Sequence, residues 1–301
     1  MLIKITEEYE NFTIKQVANR LKISTRLLTR LKAKENGITV NGEHRTVRHV
    51  LQLGDMLEFA LEDDASSKSI APSPFPIKLL WEDEWYAAFA KPANLPTHPA
   101  KRHQGDTLAS RVIAAYPEQN FVFRALTRLD LDTSGVVIVA KNQLAANEFS
   151  KELIARKVKK EYTAVCCGKI IEENGTIAYP IIRPDSRSIK RVALTEKDAC
   201  GEEAITEYKV IKSSDNATLV SVSPITGRTH QIRVHMKALG HPILSDTLYS
   251  EPSPLISRQA LHASKITFCH PFTKKTISVL CPLFSDMSEC IRLLFGETND
   301  F

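Results

Sequence analysis

The chain has 301 residues, 43% hydrophobic and 25% charged, and carries a net charge of +5. That length and composition predict a globular protein of about two domains. No stretch approaches the roughly 18 apolar residues of a membrane span, which excludes an integral membrane helix and makes the cytoplasm the expected location. Cys166, Cys167, Cys200, Cys269, Cys281 and Cys290 show no C-x-x-C spacing, so reduced and mostly buried thiols are expected rather than a zinc site or a disulfide framework.

The charge is unevenly placed. Between Thr13 and Arg48 nine Lys or Arg residues face only Glu35 and Glu43, which leaves the rest of the chain slightly acidic. Thr13 with Gln16 fits a capping box, and Ile14, Val17, Ala18 and Leu21 recur at helical spacing, predicting a helix to about Lys22. Ser24 can cap a second helix with Leu27, Leu28 and Leu31 as its apolar stripe, ended by Gly37. Ile38 to Arg45 then reads as a hairpin, because Asn41-Gly42 supplies the two positive-φ residues of a type I′ turn. Two basic helices followed by a hairpin, with Val-Asn-Gly and Leu53-Gly54-Asp55, resemble the small alpha-L RNA-binding domain of a ribosomal small-subunit protein over about residues 10 to 62. The resemblance implies that Lys15, Arg20, Arg26, Arg30, Lys32 and Lys34 contact RNA, and concentrated Lys and Arg are what phosphate binding requires.

Asp63 to Pro76 is rich in Ser and Pro and reads as a linker, so the expected division is 1–62, linker 63–76 and a larger domain 77–301. Beyond it, short β-rich runs (Ala87 to Ala90, Val136 to Ala140, Tyr162 to Cys166, Ala217 to Val222, Thr276 to Leu280) are separated by loops and by helical stretches such as Thr107 to Ala115 and Asn142 to Arg156. There is no regular βαβ alternation. The fold class is α+β: a small α/β unit followed by a larger, mainly antiparallel β-sheet domain with flanking helices.

Chemistry concentrates in four segments. Leu126-Thr-Arg-Leu-Asp130-Leu-Asp-Thr-Ser-Gly135 sets an acid beside an Arg in a hydroxyl-rich loop that leads into a buried strand. Lys157 to Val165 places basic charge ahead of Tyr162. Thr226 to His235, Thr-Gly-Arg-Thr-His-Gln-Ile-Arg-Val-His, holds two Arg, two His and a Gln, followed by Leu239-Gly-His-Pro-Ile243. Ala260-Leu-His-Ala263 comes last. A lone loop aspartate ordinarily caps a turn, and a lone tyrosine at a strand start ordinarily joins a core. These segments resemble, in order, the R-L-D-x-x-T-S-G, K-x-Y, G-R-T-H-Q-I-R-x-H and L-H-A motifs of the RluA-type pseudouridine synthases, which isomerise uridine in RNA.

That resemblance implies Asp130 as the catalytic carboxylate, Arg233 as its ion-pair partner and Tyr162 as a ring that stacks on an extruded base and can assist proton transfer. An ionised carboxylate can attack base or sugar or take a proton from the sugar, and all three routes remain open. Arg128, Lys160, Arg228 and His230 are expected to contact RNA, and His230 and His262 to organise the pocket loops. Asp132, at a variable position of the motif, is assigned to loop structure. Thr127 stands where most members have His, and Asn94 where Gly is usual; Asn can keep a left-handed turn. His230, His235 and His241 lack the i, i+4 spacing of helix-borne metal ligands, and no P-loop or G-x-G-x-x-G occurs, so neither metal nor cofactor is expected. The resulting reading is a monomeric RNA pseudouridine synthase acting on structured RNA, large-subunit ribosomal RNA ahead of transfer RNA. The alternative is a non-catalytic RNA-binding or ribosome-assembly protein on the same fold.

Overall fold

The computed structural model describes residues 1–21, 23–61, 70–99, 105–117, 121–195 and 200–296. Lys22, Glu62 and residues 63–69 of the expected linker lie outside the described residues. The N-terminal part comprises β1 (Leu2–Lys4), α1 (Ile14–Arg20), α2 (Thr25–Ala33), β2 (Ile38–Val40), β3 (Glu43–His44) and β4 (Met56–Phe59), with the strands in the antiparallel order β1-β4-β2-β3.

Local chemistry explains these boundaries. The Thr13 side chain accepts from the Gln16 amide while Gln16 reaches back to the Thr13 amide, and Ser24 accepts from the Leu27 amide. Asn41 and Gly42 take φ values of 54° and 83°, as the hairpin turn demands. Helix α2 stops at Ala33, short of Gly37. Gly37 serves a different purpose, since a Cβ there would stand 2.0 Å from the Leu31 carbonyl oxygen. Ile14, Val17, Leu27, Leu28 and Leu31 pack with Leu57 and Phe59. Leu144 from the larger part completes this cluster, and Trp85 and Phe272, stacked 3.9 Å apart, lean on it.

The larger part runs β5 (Lys78–Glu82), β6 (Tyr86–Lys91), α3 (Leu108–Ala115), β7 (Ser134–Ala140), α4 (Gln143–Ile154), β8 (Lys159–Cys167), β9 (Asn174–Ile177), β10 (Ile181–Ile182), β11 (Val192–Ala193), β12 (Thr206–Ser213), β13 (Ala217–Pro224), α5 (Gln231–Ala238), β14 (Leu261–Cys269), β15 (Thr276–Leu280) and α6 (Ser285–Phe295). Nine strands form one sheet, β5-β6-β7-β14-β8-β13-β12-β9, with β15 paired to β14. β6 and β7 are buried along their whole length, as their unbroken apolar runs require.

The pairings are antiparallel except for β7 with β14, joined in parallel through His262 with Ser134 and Ala263 with Gly135. Gly135 makes this approach feasible: its φ is 123°, and a Cβ would stand 2.3 Å from the Ala263 carbonyl oxygen. The short β10–β11 ribbon stands apart and packs Ile181 with Val234 and Tyr249.

Candidate active site

A pocket of about 310 Å³ opens where the loop before β7, the start of β8 and the segment joining β13 to α5 converge. Asp130, Tyr162, Arg233, Arg128, Lys160, Arg228 and His230 all line it. Lys15, Arg20, Arg26, Arg30, Lys32 and Lys34 do not. They lie on α1 and α2, with Lys34 just past the end of α2. Lys15, Arg26 and Lys32 are exposed, and Arg20 is exposed but paired with Glu8 at 3.1 Å, an acid just outside the basic stretch.

The Asp130 loop is held through its backbone. Three successive anchors each take a carbonyl: Thr97 Oγ1 donates to Leu129 at 3.2 Å, Lys91 Nζ to Leu131 at 2.9 Å, and Arg258 Nη1 to Asp132 at 3.2 Å. Asp132 thus enters through its main chain. Gln259 Nε2 donates to Thr133 Oγ1, and Ser134 Oγ meets both Arg258 Nη2 and His262 Nδ1. Lys91 is fully buried and also bonds the Pro92 and Leu95 carbonyls; burial pulls its amine down to about 7, against the opposite pull of Asp132 and Asp130. Asn94, in the same turn, takes the left-handed φ of 54°. Thr127 Oγ1 accepts from the Ile138 amide at 3.1 Å, so it ties the loop to β7.

With the backbone anchored elsewhere, the Asp130 carboxylate faces the pocket with 27% of its side chain exposed. Arg233 Nη1 donates to it at 3.0 Å, and His230 Nε2 lies 3.9 Å away. Burial opposes the Arg233 charge, but Asp246 and then Asp130 hold it above the ordinary arginine range. His230 precedes α5 in a left-handed conformation, φ 57°, and its Nδ1 meets the Tyr249 hydroxyl at 2.9 Å. That hydroxyl also accepts from the Arg191 amide at 2.8 Å, which ties the His230 ring to the segment before β11. Burial lowers the His230 pKa, more than Asp130 raises it.

Tyr162 is half-buried at the start of β8, and its hydroxyl has no hydrogen-bond partner among the described residues. Burial, followed by the Asp130 charge, pushes the phenol well up, so it stays protonated. Leu126, Leu129, Ile232 and Leu261 complete an apolar lining. Arg128 is exposed at the mouth without hydrogen bond or ion pair among the described residues, Lys160 is half-buried with its pKa lowered by burial, and Arg228 bonds the Glu203 carbonyl and the Glu202 carboxylate. A pocket with one carboxylate, the rings of Tyr162 and His230 and a cationic rim suits a single flat, polar ring attached to a polyanion.

The remaining histidines disperse. His235 is buried between Thr206 and the Tyr179 carbonyl, and His241 bonds the Cys167 carbonyl. Among the described residues no group of three or more His, Cys, Asp or Glu is placed to hold a metal ion, and no helix is long and apolar enough to cross a membrane.

Sequence reasoning missed several contributors. Asp246 and Tyr249 sit in the turn after Ile243, among the polar neighbours Ser245, Thr247 and Ser250, which give no signal of a site. Arg258, which binds Asp286 on α6 at 2.7 Å, sits just before the L-H-A segment. The loop from Arg183 to Arg191, between β10 and β11, carries Arg183, Arg187, Lys190 and Arg191 against Asp185. None of those four cations pairs with a carboxylate among the described residues, and the Arg191–Tyr249 bond, 2.8 Å, fastens the loop beside the pocket.

Residues 86–238 match the family described as RNA pseudouridylate synthase. Among curated proteins, an uncharacterized RNA pseudouridine synthase, YjbO of Bacillus subtilis, is 36% identical over 289 residues, covering 95% of this chain and all of the relative. Ribosomal large subunit pseudouridine synthase D of Neisseria meningitidis is 31% identical over 280 residues, 88% of this chain and 74% of the relative. Among solved structures, human RNA pseudouridylate synthase domain containing 1 superposes with a TM-score of 0.59 at 26% identity, covering 71% of this chain and 87% of that one.

Proposed function

Since the chain belongs to the RNA pseudouridylate synthase family, isomerases that convert uridine to pseudouridine in RNA, we propose that it modifies large-subunit ribosomal RNA with Asp130 as its catalytic carboxylate. The observation that carries the assignment of Asp130 is its placement: a pocket-facing carboxylate whose loop is anchored by three separate side chains and whose charge is met by Arg233 at 3.0 Å. The name of the Neisseria relative supports ribosomal RNA as the substrate.

In the reaction the N1–C1′ bond of uridine breaks, the uracil turns, and C5 bonds to C1′; C5 gives up a proton and N1 takes one, so no atom is lost and no cofactor is called for. Asp130 acts on base or sugar, Arg233 aims it, and Tyr162 holds the face of the extruded base. Arg128, Lys160, Arg228 and the Arg183–Arg191 loop contact the flanking phosphates, while His230 orders the pocket wall. Residues 1–62 form an RNA-holding domain, followed by a connection over 63–76 and a catalytic domain over 77–301. The protein works as a cytoplasmic monomer.

The test is to incubate wild type and Asp130→Asn with unmodified ribosomal and transfer RNA transcripts, digest to nucleosides and quantify pseudouridine. Wild type should form it in large-subunit RNA, and the variant should bind RNA without forming it. Modification of transfer RNA alone would overturn the substrate, and full activity in Asp130→Asn would overturn the residue.

A further inference from the structure

We propose that a platform of Trp85 and Phe272 seats the N-terminal domain on the catalytic one and so takes part in choosing the target uridine; this rests on the reading of residues 1–62 as an RNA-holding domain. The platform is assembled from two turns of the large sheet. Asp83, between β5 and β6, takes the Trp85 and Tyr86 amides on Oδ1, at 2.7 and 2.8 Å, and His270 Nε2 on Oδ2, at 2.8 Å. His270, between β14 and β15, is buried, and its Nδ1 accepts from the Phe272 and Thr273 amides at 3.2 and 3.0 Å, so Nε2 carries the hydrogen and donates to Asp83. The two turns are clasped together, and the Trp85 and Phe272 rings stack 3.9 Å apart at 21°. The same clasp reaches α4: the Tyr86 hydroxyl donates to the Ala145 carbonyl at 3.1 Å, which holds Leu144, in the first turn of α4, against the core.

What covers this face is the N-terminal domain. Leu144 is 1% exposed and belongs to the cluster of Ile14, Val17, Leu27, Leu28 and Leu31, the inward residues of α1 and α2, on which Trp85 and Phe272 lean. Withdrawing that domain would bare three large apolar side chains, which water opposes. A domain on a tether samples many positions, whereas one held on a seat keeps a single distance to the pocket. The exposed cations Lys15, Arg26 and Lys32 ride on the same two helices, so the seat sets their placement relative to Asp130. An RNA long enough to reach both parts is then read by the spacing between its phosphates and its reactive base.

Trp85, Phe272 and Leu144 do not line the pocket, so seat and chemistry separate by experiment. Small-angle scattering of the full chain should show a compact wild type, with a radius of gyration of about 20 Å for this length, and a larger value for Trp85→Ala/Phe272→Ala. On the RNA that the wild type modifies, the ratio of pseudouridine at the preferred site to pseudouridine at all other sites should fall on the order of tenfold in the variant, as one span gives way to many. KM for that RNA should stay within about threefold, because the phosphate-binding cations remain on the chain. The rate on a short stem-loop carrying only the preferred uridine should stay within about twofold, since no group at the reacting centre has changed.

If the double variant is not folded, judged by lost activity on the stem-loop, Leu144→Asp decides the matter: an acid suits the first turn of α4 but not the apolar cluster, so the helix stays and the seat is lost. A variant that scatters as compactly as wild type, or one with a released domain and an unchanged site ratio, overturns the proposal. Arg26→Gln/Lys32→Gln run alongside separates the two levels. If KM and its salt dependence are unchanged, the reading of residues 1–62 as RNA-holding has failed; if KM rises while the platform variant keeps its site ratio, only the part of the seat in selection has.

Discussion

The Ser134 hydroxyl and the His262 ring meet at 2.9 Å across the parallel join of β7 and β14, directly behind the Asp130 loop. The other ring nitrogen, Nε2, faces the Cys281 carbonyl at 3.0 Å and must carry the hydrogen, so Nδ1 accepts from Ser134 and the buried ring is neutral.

Burial pulls the His262 pKa from 6.5 to about 4. The unfolded chain therefore binds a proton there before the folded one does, and the stability present above pH 6.5 is lost as pH falls towards 4. The loss amounts to about 2 kcal/mol by pH 5 and about 3 kcal/mol by pH 4. Urea unfolding of wild type and His262→Gln from pH 7.5 to 4.5 should show a shallower acid-side slope in the variant. Parallel curves would remove His262 from the account of acid sensitivity.

Gly135 is the residue that lets the same join close. Gly135→Ala puts a methyl group into the Ala263 backbone at a φ that L residues rarely adopt. Strain and steric conflict together should cost more than about 3 kcal/mol. A melting temperature within two degrees of wild type, read by differential scanning calorimetry, would contradict this.

The role proposed for Tyr162 calls on its ring rather than on its proton. Its hydroxyl has no partner among the described residues and burial keeps it protonated. Tyr162→Phe should hold turnover within about tenfold, whereas Tyr162→Ala should lose about 1–3 kcal/mol of base stacking. If Phe and Ala fail equally in single-turnover assays, the hydroxyl takes part in chemistry after all.

The loop between β10 and β11 makes a salt-dependence prediction. Arg183 and Arg191 spend hydrogen bonds on the loop's own carbonyls, at Ser188, Ile189 and Lys190, but Arg187 and Lys190 project without such bonds. Replacing both by Gln should weaken RNA binding and reduce the slope of log Kd against log salt by about 1.4 to 1.8, two phosphate contacts' worth. The rate at saturating RNA should be unchanged. A slope equal to wild type would place the loop away from the RNA.

What the sequence made legible was local or repeated. Thr13 with Gln16, Asn41-Gly42 and the run Val136 to Ala140 specify their structures through neighbours in the chain, and all three formed. The position of Asp130 beside Arg233 was expected only through family resemblance, since 103 residues separate them. Asp246, Tyr249 and Arg258 escaped because nothing in their immediate neighbours marks them. Each acquires its partner only when the turn from Ile243 to Gln259 folds over α5 and β7. The limit of α2 escaped for a related reason: Gly37 was read as a helix stop, whereas its small size is needed for contact with Leu31.

The join between β7 and β14 divides the large sheet along the chain itself. β5, β6 and β7 come before residue 156 and carry Asp130; β8 onward carries Tyr162, His230 and Arg233. A nick at the Arg156–Lys157 turn would yield two fragments, each with strands of its own and neither with a pocket. Catalysis in such a mixture would count only reunited molecules, so the site is a property of the docked pair of halves rather than of either one.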